Sequence, residues 1–312
     1  MTEPRTSADL RSTGTGLRVL RLGSDGYPAK VARLASPPRT LYLAGSWEHD
    51  GPVIAIVGAR EATRDGLDFA AWLAGNLAAS NAAVVSGLAH GIDAAAHRGA
   101  LRAGGRSGAV LGTGLGRCYP RAHESLQREL GASLGLMSEL PHGAAGRQGT
   151  FAARNRILAA LSDVVVLVQG DEDSGALITA DHARRVGVPV AAIPWDPREK
   201  LAAAPHKLIR NGAATLVRDA ADVLALAGVA EPLLAAASSA GPPALVARPR
   251  PALPEVESRA FAALRSRAQS LDEVAERAGL SASATGAALL SLELSGLVRR
   301  EPGGFFRRSG GG

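Results

Sequence analysis

Val53-Ile-Ala-Ile-Val-Gly-Ala-Arg60 and, after an Ala-rich interval, Ala82-Ala-Val-Val-Ser-Gly-Leu-Ala-His-Gly-Ile-Asp93 decide the fold. Each begins as a short apolar run that stops at a small residue, and the interval between them has the length of a helix. The alternation continues downstream. Strands are predicted at Val53–Val57, Ala82–Val85, Ser107–Leu111, Leu134–Ser138, Asp163–Val168 and Val188–Ile193. Helices are predicted between them at Arg64–Ala79, Asp93–Ala103, His123–Leu130, Phe151–Leu161 and Ala176–Val186. Strands separated by helices in this way build an α/β, Rossmann-like, doubly wound and mostly parallel sheet.

Outward from this block, the chain changes character on both sides. Residues 1–50 offer Tyr27-Pro28, Pro37-Pro38 and Leu41-Tyr-Leu43, which read as a short extension, a lead-in and a small edge strand. The Rossmann-like domain is assigned to 51–227, and 228–254 turns into Ala, Ser and Pro, as a semi-extended linker does. From 255 to 308 a helix at Val256–Arg265 precedes Ser270 and Glu273, a capping-box start for Leu271–Ala278, which Gly279 closes. A third helix at Ala282–Leu294 and a hairpin around Pro302-Gly-Gly304 complete a small C-terminal winged helix, with 309–312 as a tail.

The apolar runs are strand-sized, so no membrane span is expected. Met1–Leu10 lacks a secretory pattern and Cys118 is the sole cysteine, which together place the expected protein in the reducing cytoplasm. A formal charge of +6 is compatible with an anionic partner.

Ligands of open parallel sheets bind at the carboxyl ends of the strands. Here those ends carry Gly58-Ala-Arg60, Ser86-Gly87, Gly112-Thr-Gly-Leu-Gly116 and Ser174-Gly175, with Phe151 and Arg154-Asn-Arg156 after the fourth. Small residues let backbone approach an anion, and guanidinium forks pair with phosphate. Several such loops in a row suit a run of phosphates. The first turn lacks Gly-x-Gly-x-x-Gly and no Walker lysine signature is present, so no nucleotide cofactor is expected.

These motifs, in order from Tyr27-Pro28 through Ile56–Arg60, Ser86–Asp93 with His97, Gly112–Gly116, Tyr119-Pro120, Ser138-Glu139, Phe151–Arg156 and Ser174–Ala180, resemble the DprA/Smf family. The resemblance implies a protein without enzymatic activity that binds single-stranded DNA during natural transformation, shields it, forms a homodimer and helps to load the recombinase RecA. It places the DNA site on Gly58, Arg60, Ser86, Gly87, Arg121, Arg147, Phe151, Arg154, Asn155 and Arg156, with Phe151 as a base-stacking face. The chain departs from the family pattern across Gly187–Pro205, which touches the expected dimer geometry.

Two rivals stand beside this reading. Ser174-Gly175 and Thr179 resemble a nucleotide phosphoribohydrolase of the lysine-decarboxylase-like type. A transcription regulator would read duplex DNA with its third winged-helix helix, but Ala282–Leu294 has no Arg or Lys for base edges. Nonspecific duplex contact through Arg299-Arg300 and Arg307-Arg308 stays open. His90, Asp93 and His97 share helical spacing, yet polar residues at a helix start usually cap, and no metal is expected. Cys118 reads as a loop residue.

Overall fold

The computed structural model describes residues 16–229, 253–264, 269–295, 297–301 and 303–308. They belong to two compact units that divide within the stretch between 229 and 253. The first is a nine-stranded sheet in the order β1-β2-β6-β5-β4-β3-β7-β8-β9. Its parallel strands are β3 Val53–Val57, β4 Ala83–Ser86, β5 Ser107–Val110, β6 Gly135–Ser138, β7 Val164–Leu167, β8 Val190–Ala192 and β9 Thr215–Leu216.

From β3 the chain steps outward through β4, β5 and β6, then crosses back so that β7 pairs with the free side of β3. That reversal opens a crevice beyond the carboxyl ends of β3 and β7. The central strands are buried on both faces, which is why they read as unbroken Val, Ile and Ala. Ile54 and Ile56 pack against α2 Arg64–Ala79 and α3 Ile92–Arg102. Ala55 and Val57 face the other way, toward α5 Gln148–Leu161 and α6 Ala176–Arg185. α4, Glu124–Ala132, follows a short 3-10 turn at Arg121–His123.

The six expected strands and five expected helices of this sheet are all present, and three differences bear on the site. Residues before 51 are more than a lead-in: β1 Arg18–Arg21 pairs antiparallel with β2 Thr40–Ala44, which pairs antiparallel with β6. Between them α1, Ala29–Ala32, inserts Val31 into the core. α5 starts at Gln148 and not at Phe151, so Arg154 and Arg156 lie beyond its first turn, where the helix dipole acts weakly. The segment after β8 folds into α7 Ala203–Arg210, β9 and α8 Ala220–Leu226, which periodicity alone did not separate.

The second unit holds α9 Glu255–Ala263, α10 Leu271–Ala278, α11 Ala282–Leu294 and the hairpin β10 Val298–Glu301 with β11 Phe305–Arg308. Ser270 and Glu273 form the expected capping box, and Gly279 ends α10 at φ 61°. Phe261, Val274, Leu289, Leu292, Val298 and Phe306 make its core. The expected helix end at Arg265, most of the linker and the tail lie outside the described residues. Among the described residues no helix is long and apolar enough to cross a membrane.

Candidate nucleic-acid interface

The crevice between β3 and β7 is a cleft of about 710 Å³. Gly58, Arg60, Phe151, Arg154 and Asn155, five of the expected residues, line it together with Glu61, Asp93, Asp171, Ser174 and Lys200. Arg60, in the loop after β3, and Arg154, on α5, therefore line one cleft.

Arg154 is 5 % exposed. Its Nη1 donates to the Val110 carbonyl, and its guanidinium lies flat on Gly87, where a Cβ would sit 2.3 Å from Nη1. Its Nε has no hydrogen-bond partner. Burial pulls its pKa down to about 10; the Asp93 carboxylate opposes that fall and the like charge of Arg60 adds to it. Arg154 stays protonated at neutral pH, buried, and without a direct ion pair among the described residues. Asp93 accepts from the N–H groups of Gly87 (3.0 Å) and Ala89 (3.3 Å), and burial still raises its pKa against the Arg154 charge.

This alters the expected roles of Ser86 and Gly87. Ser86 is buried and its hydroxyl donates to the Ile56 carbonyl at 2.6 Å, while the Gly87 N–H is taken by Asp93. The turn is a bed for Arg154 and offers no free donor to a phosphate. Gly58 likewise serves packing, since a Cβ there would meet the Ile92 side chain at 2.6 Å and the Gln169 carbonyl at 2.8 Å.

Phe151 is half-buried against Gly112 and Gly146, whose added Cβ atoms would lie 2.4 and 2.7 Å from its ring. Tyr119, 55 % exposed, stands beside it with ring centroids 5.1 Å apart. Sequence reasoning missed Tyr119 as a site residue, although an exposed aromatic next to a Gly-rich turn is a signal in a chain with 4 % aromatics. It also missed Lys200, hidden in the segment set apart as unusual. Thr150 fixes the start of α5: its Oγ1 accepts from the Arg147 N–H (2.9 Å) and donates to the Gly112 carbonyl (2.7 Å).

The remaining expected cations are elsewhere. Arg156, two residues from Arg154 and so about 200° around the helix, lines a second cleft of about 840 Å³. There it makes a bidentate pair with Glu139 (3.0 and 2.7 Å) and donates to the Ser36 carbonyl at 3.2 Å. The run Arg154-Asn155-Arg156 is thus not one anion grip. Arg147 is exposed at the N-cap of α5 next to Gln148 of the cleft rim, and Arg121 is exposed in the 3-10 turn, outside the lining.

His97 and His123 are committed to hydrogen bonds. His97, fully buried, faces the Ser107 hydroxyl at 2.8 Å; that hydroxyl donates to the Val84 carbonyl, so His97 Nδ1 carries the proton. Burial, with Arg154 next, lowers its pKa to about 3. Among the described residues no three His, Cys, Asp or Glu side chains could hold a metal ion. Cys118 Sγ donates to the Pro120 carbonyl, and burial followed by the Glu124 charge raises its pKa. Thr179 is buried and the Ser174 hydroxyl accepts the Ala176 N–H at 3.3 Å, so the turn resembling a phosphoribohydrolase serves to start α6.

Residues 18–228 match the family model of DNA recombination-mediator protein A, and 242–304 match that of the DprA winged helix domain. The chain belongs to the DprA family. It is 33 % identical to Protein Smf of Synechocystis over 90 % of this chain and 78 % of that protein. Identity to a putative DNA processing protein DprA of Mycobacterium tuberculosis is 37 % over 80 % of this chain and 62 % of the relative. The crystal structure of Streptococcus pneumoniae DprA superposes with a TM-score of 0.65 at 34 % identity, covering 71 % of this chain and 78 % of the other. Helicobacter pylori DprA, whose structure is described as giving insight into single-stranded DNA binding, superposes at 0.61 with 27 % identity, covering 68 % and 95 %. DprA membership supports a DNA-processing role and does not favour the phosphoribohydrolase.

Proposed function

We propose that this protein binds single-stranded DNA at the strand tips, with Arg60 and Arg154 on phosphates, Phe151 against a base and no chemistry of its own. The observation that carries the reading is the shared cleft: two guanidinium groups repel one another there and neither has a direct ion pair among the described residues. An anion between them relieves the repulsion. Asn155 and Lys200 supply further polar contacts on the walls, and Arg147 extends the charge along the rim. The Helicobacter pylori relative, studied for its single-stranded DNA binding, supports a single strand as ligand, and the family resemblance implies a strand taken up in natural transformation. In this reading the protein is cytoplasmic, acts as a homodimer, shields the strand and helps to load RecA.

Titrating labelled single- and double-stranded oligonucleotides of matched length tests the proposal. Tighter binding of the single strand, weakening with salt at every sequence, is the expected result. Equal affinity for duplex, or release of free base from a nucleoside monophosphate, contradicts it.

A further inference from the structure

A second basic depression of about 580 Å³ opens beside the cleft and shares Arg60 and Glu61 with it. It is the groove between α2 and α3. The two helices approach closely because Gly99 lies on the Ala71 backbone, where a Cβ would come within 2.1 Å of the carbonyl oxygen. Ala71, Gly91, Ala94 and Ala95 keep its floor low, and Arg64, Arg98 and Arg102 stand on its walls.

The three wall arginines differ in what they pair with. Arg64, Arg185 and Arg218 each pair with an aspartate one helical turn away, on Asp68, Asp181 and Asp222. Arg98 and Arg102 are exposed on α3 with no ion pair among the described residues, and alanine occupies the position one turn before Arg98. The helix dipole favours Arg102 in the last turn but gives no account of Arg98 in the middle. Four residues of helix put the two about 6 Å apart along the axis, comparable to neighbouring phosphates of an extended strand.

We propose that the α2–α3 groove is a second phosphate-binding segment, in which a single strand leaving the cleft over Arg60 lays its backbone against Arg98 and Arg102. The floor of alanine and glycine lets the backbone pass without a stacking partner, so this segment grips charge and is indifferent to base. The inference rests on the reading that the cleft itself holds single-stranded DNA.

The test uses the full chain and oligothymidylates of about 6 and about 25 nucleotides, lengths chosen against the site sizes of single-strand binders. The double variant Arg98→Ala/Arg102→Ala is expected to bind the short oligomer like the parent and the long one about tenfold more weakly. Its salt slope for the long oligomer should shrink by about 1.4, or about 0.7 for each phosphate. Arg98→Lys/Arg102→Lys should keep most of that slope, because charge is what the groove uses. Unchanged binding of the long oligomer, or equal weakening at both lengths, overturns the groove. Arg60→Ala should weaken both lengths; if it weakens neither, the cleft reading fails, whatever the double variant does.

Discussion

Two clefts flank α5, and both are rich in cations, yet they differ in what those cations do. In one, Lys30 of α1 pairs with Asp163 before β7, Arg156 of α5 with Glu139 after β6, and Arg185 with Asp181 within α6. In the other, Arg60 and Arg154 line one cleft with no direct ion pair among the described residues, and Arg154 is buried besides. The contrast teaches that net charge does not mark a binding site. Charge left unpaired at a cost does.

The largest effect expected from this contrast is at Arg154. Arg154→Ala should weaken single-strand binding about a hundredfold, as loss of a charge-assisted contact worth about 3 kcal/mol does. Some stability should go with it, since the side chain also holds the Val110 carbonyl and covers Gly87, so equilibrium unfolding must accompany the binding curve. Arg60→Ala is the cleaner probe: exposed and without an ion pair, it should weaken binding about tenfold and change stability by less than about 0.5 kcal/mol.

A titration of His97 sharpens the same point. Its pKa of about 3 in the folded protein lies below the unfolded value of 6.5. Below pH 6.5 the unfolded chain therefore takes up a proton that the folded one refuses, and stability falls as pH drops toward 3. The contribution is at most about 1.4 kcal/mol per pH unit, checked by urea unfolding against a His97→Gln variant that lacks it. Because Arg154 helps to depress His97, Arg154→Met should raise the His97 pKa in an NMR titration. An unmoved pKa breaks the claim that Arg154 carries uncompensated charge. The smallest effect belongs to Arg156→Ala, which should cost about 1 kcal/mol of stability for a partly buried bidentate pair and leave DNA affinity unchanged.

Much of this arrangement was legible in the residues, and the exceptions share a cause. Ligands of parallel sheets bind at strand tips, and with the family resemblance this set Arg60, Phe151, Arg154 and Asn155 together in advance; they do line one cleft. Arg156 could not be separated from Arg154, because direction around a helix depends on where the helix begins, and α5 begins at Gln148. Ser86 and Gly87 read as an anion cradle by residue type, and only the position of Asp93 shows that their N–H and hydroxyl are already spent. Lys200 reaches the cleft from a segment remote in sequence, which no local pattern reports. β1 went unseen as well, since it is an edge strand with a mostly exposed pattern and no alternation to betray it.

The most direct test is the slope of log affinity against log salt for one single-stranded oligonucleotide, measured on the parent protein, Arg60→Ala and Arg156→Ala. The slope should shrink by about 0.7 in Arg60→Ala, one phosphate fewer, and match the parent in Arg156→Ala. A full slope in Arg60→Ala with a reduced one in Arg156→Ala would contradict the account, because it would move the DNA to the cleft where Lys30, Arg156 and Arg185 are already paired.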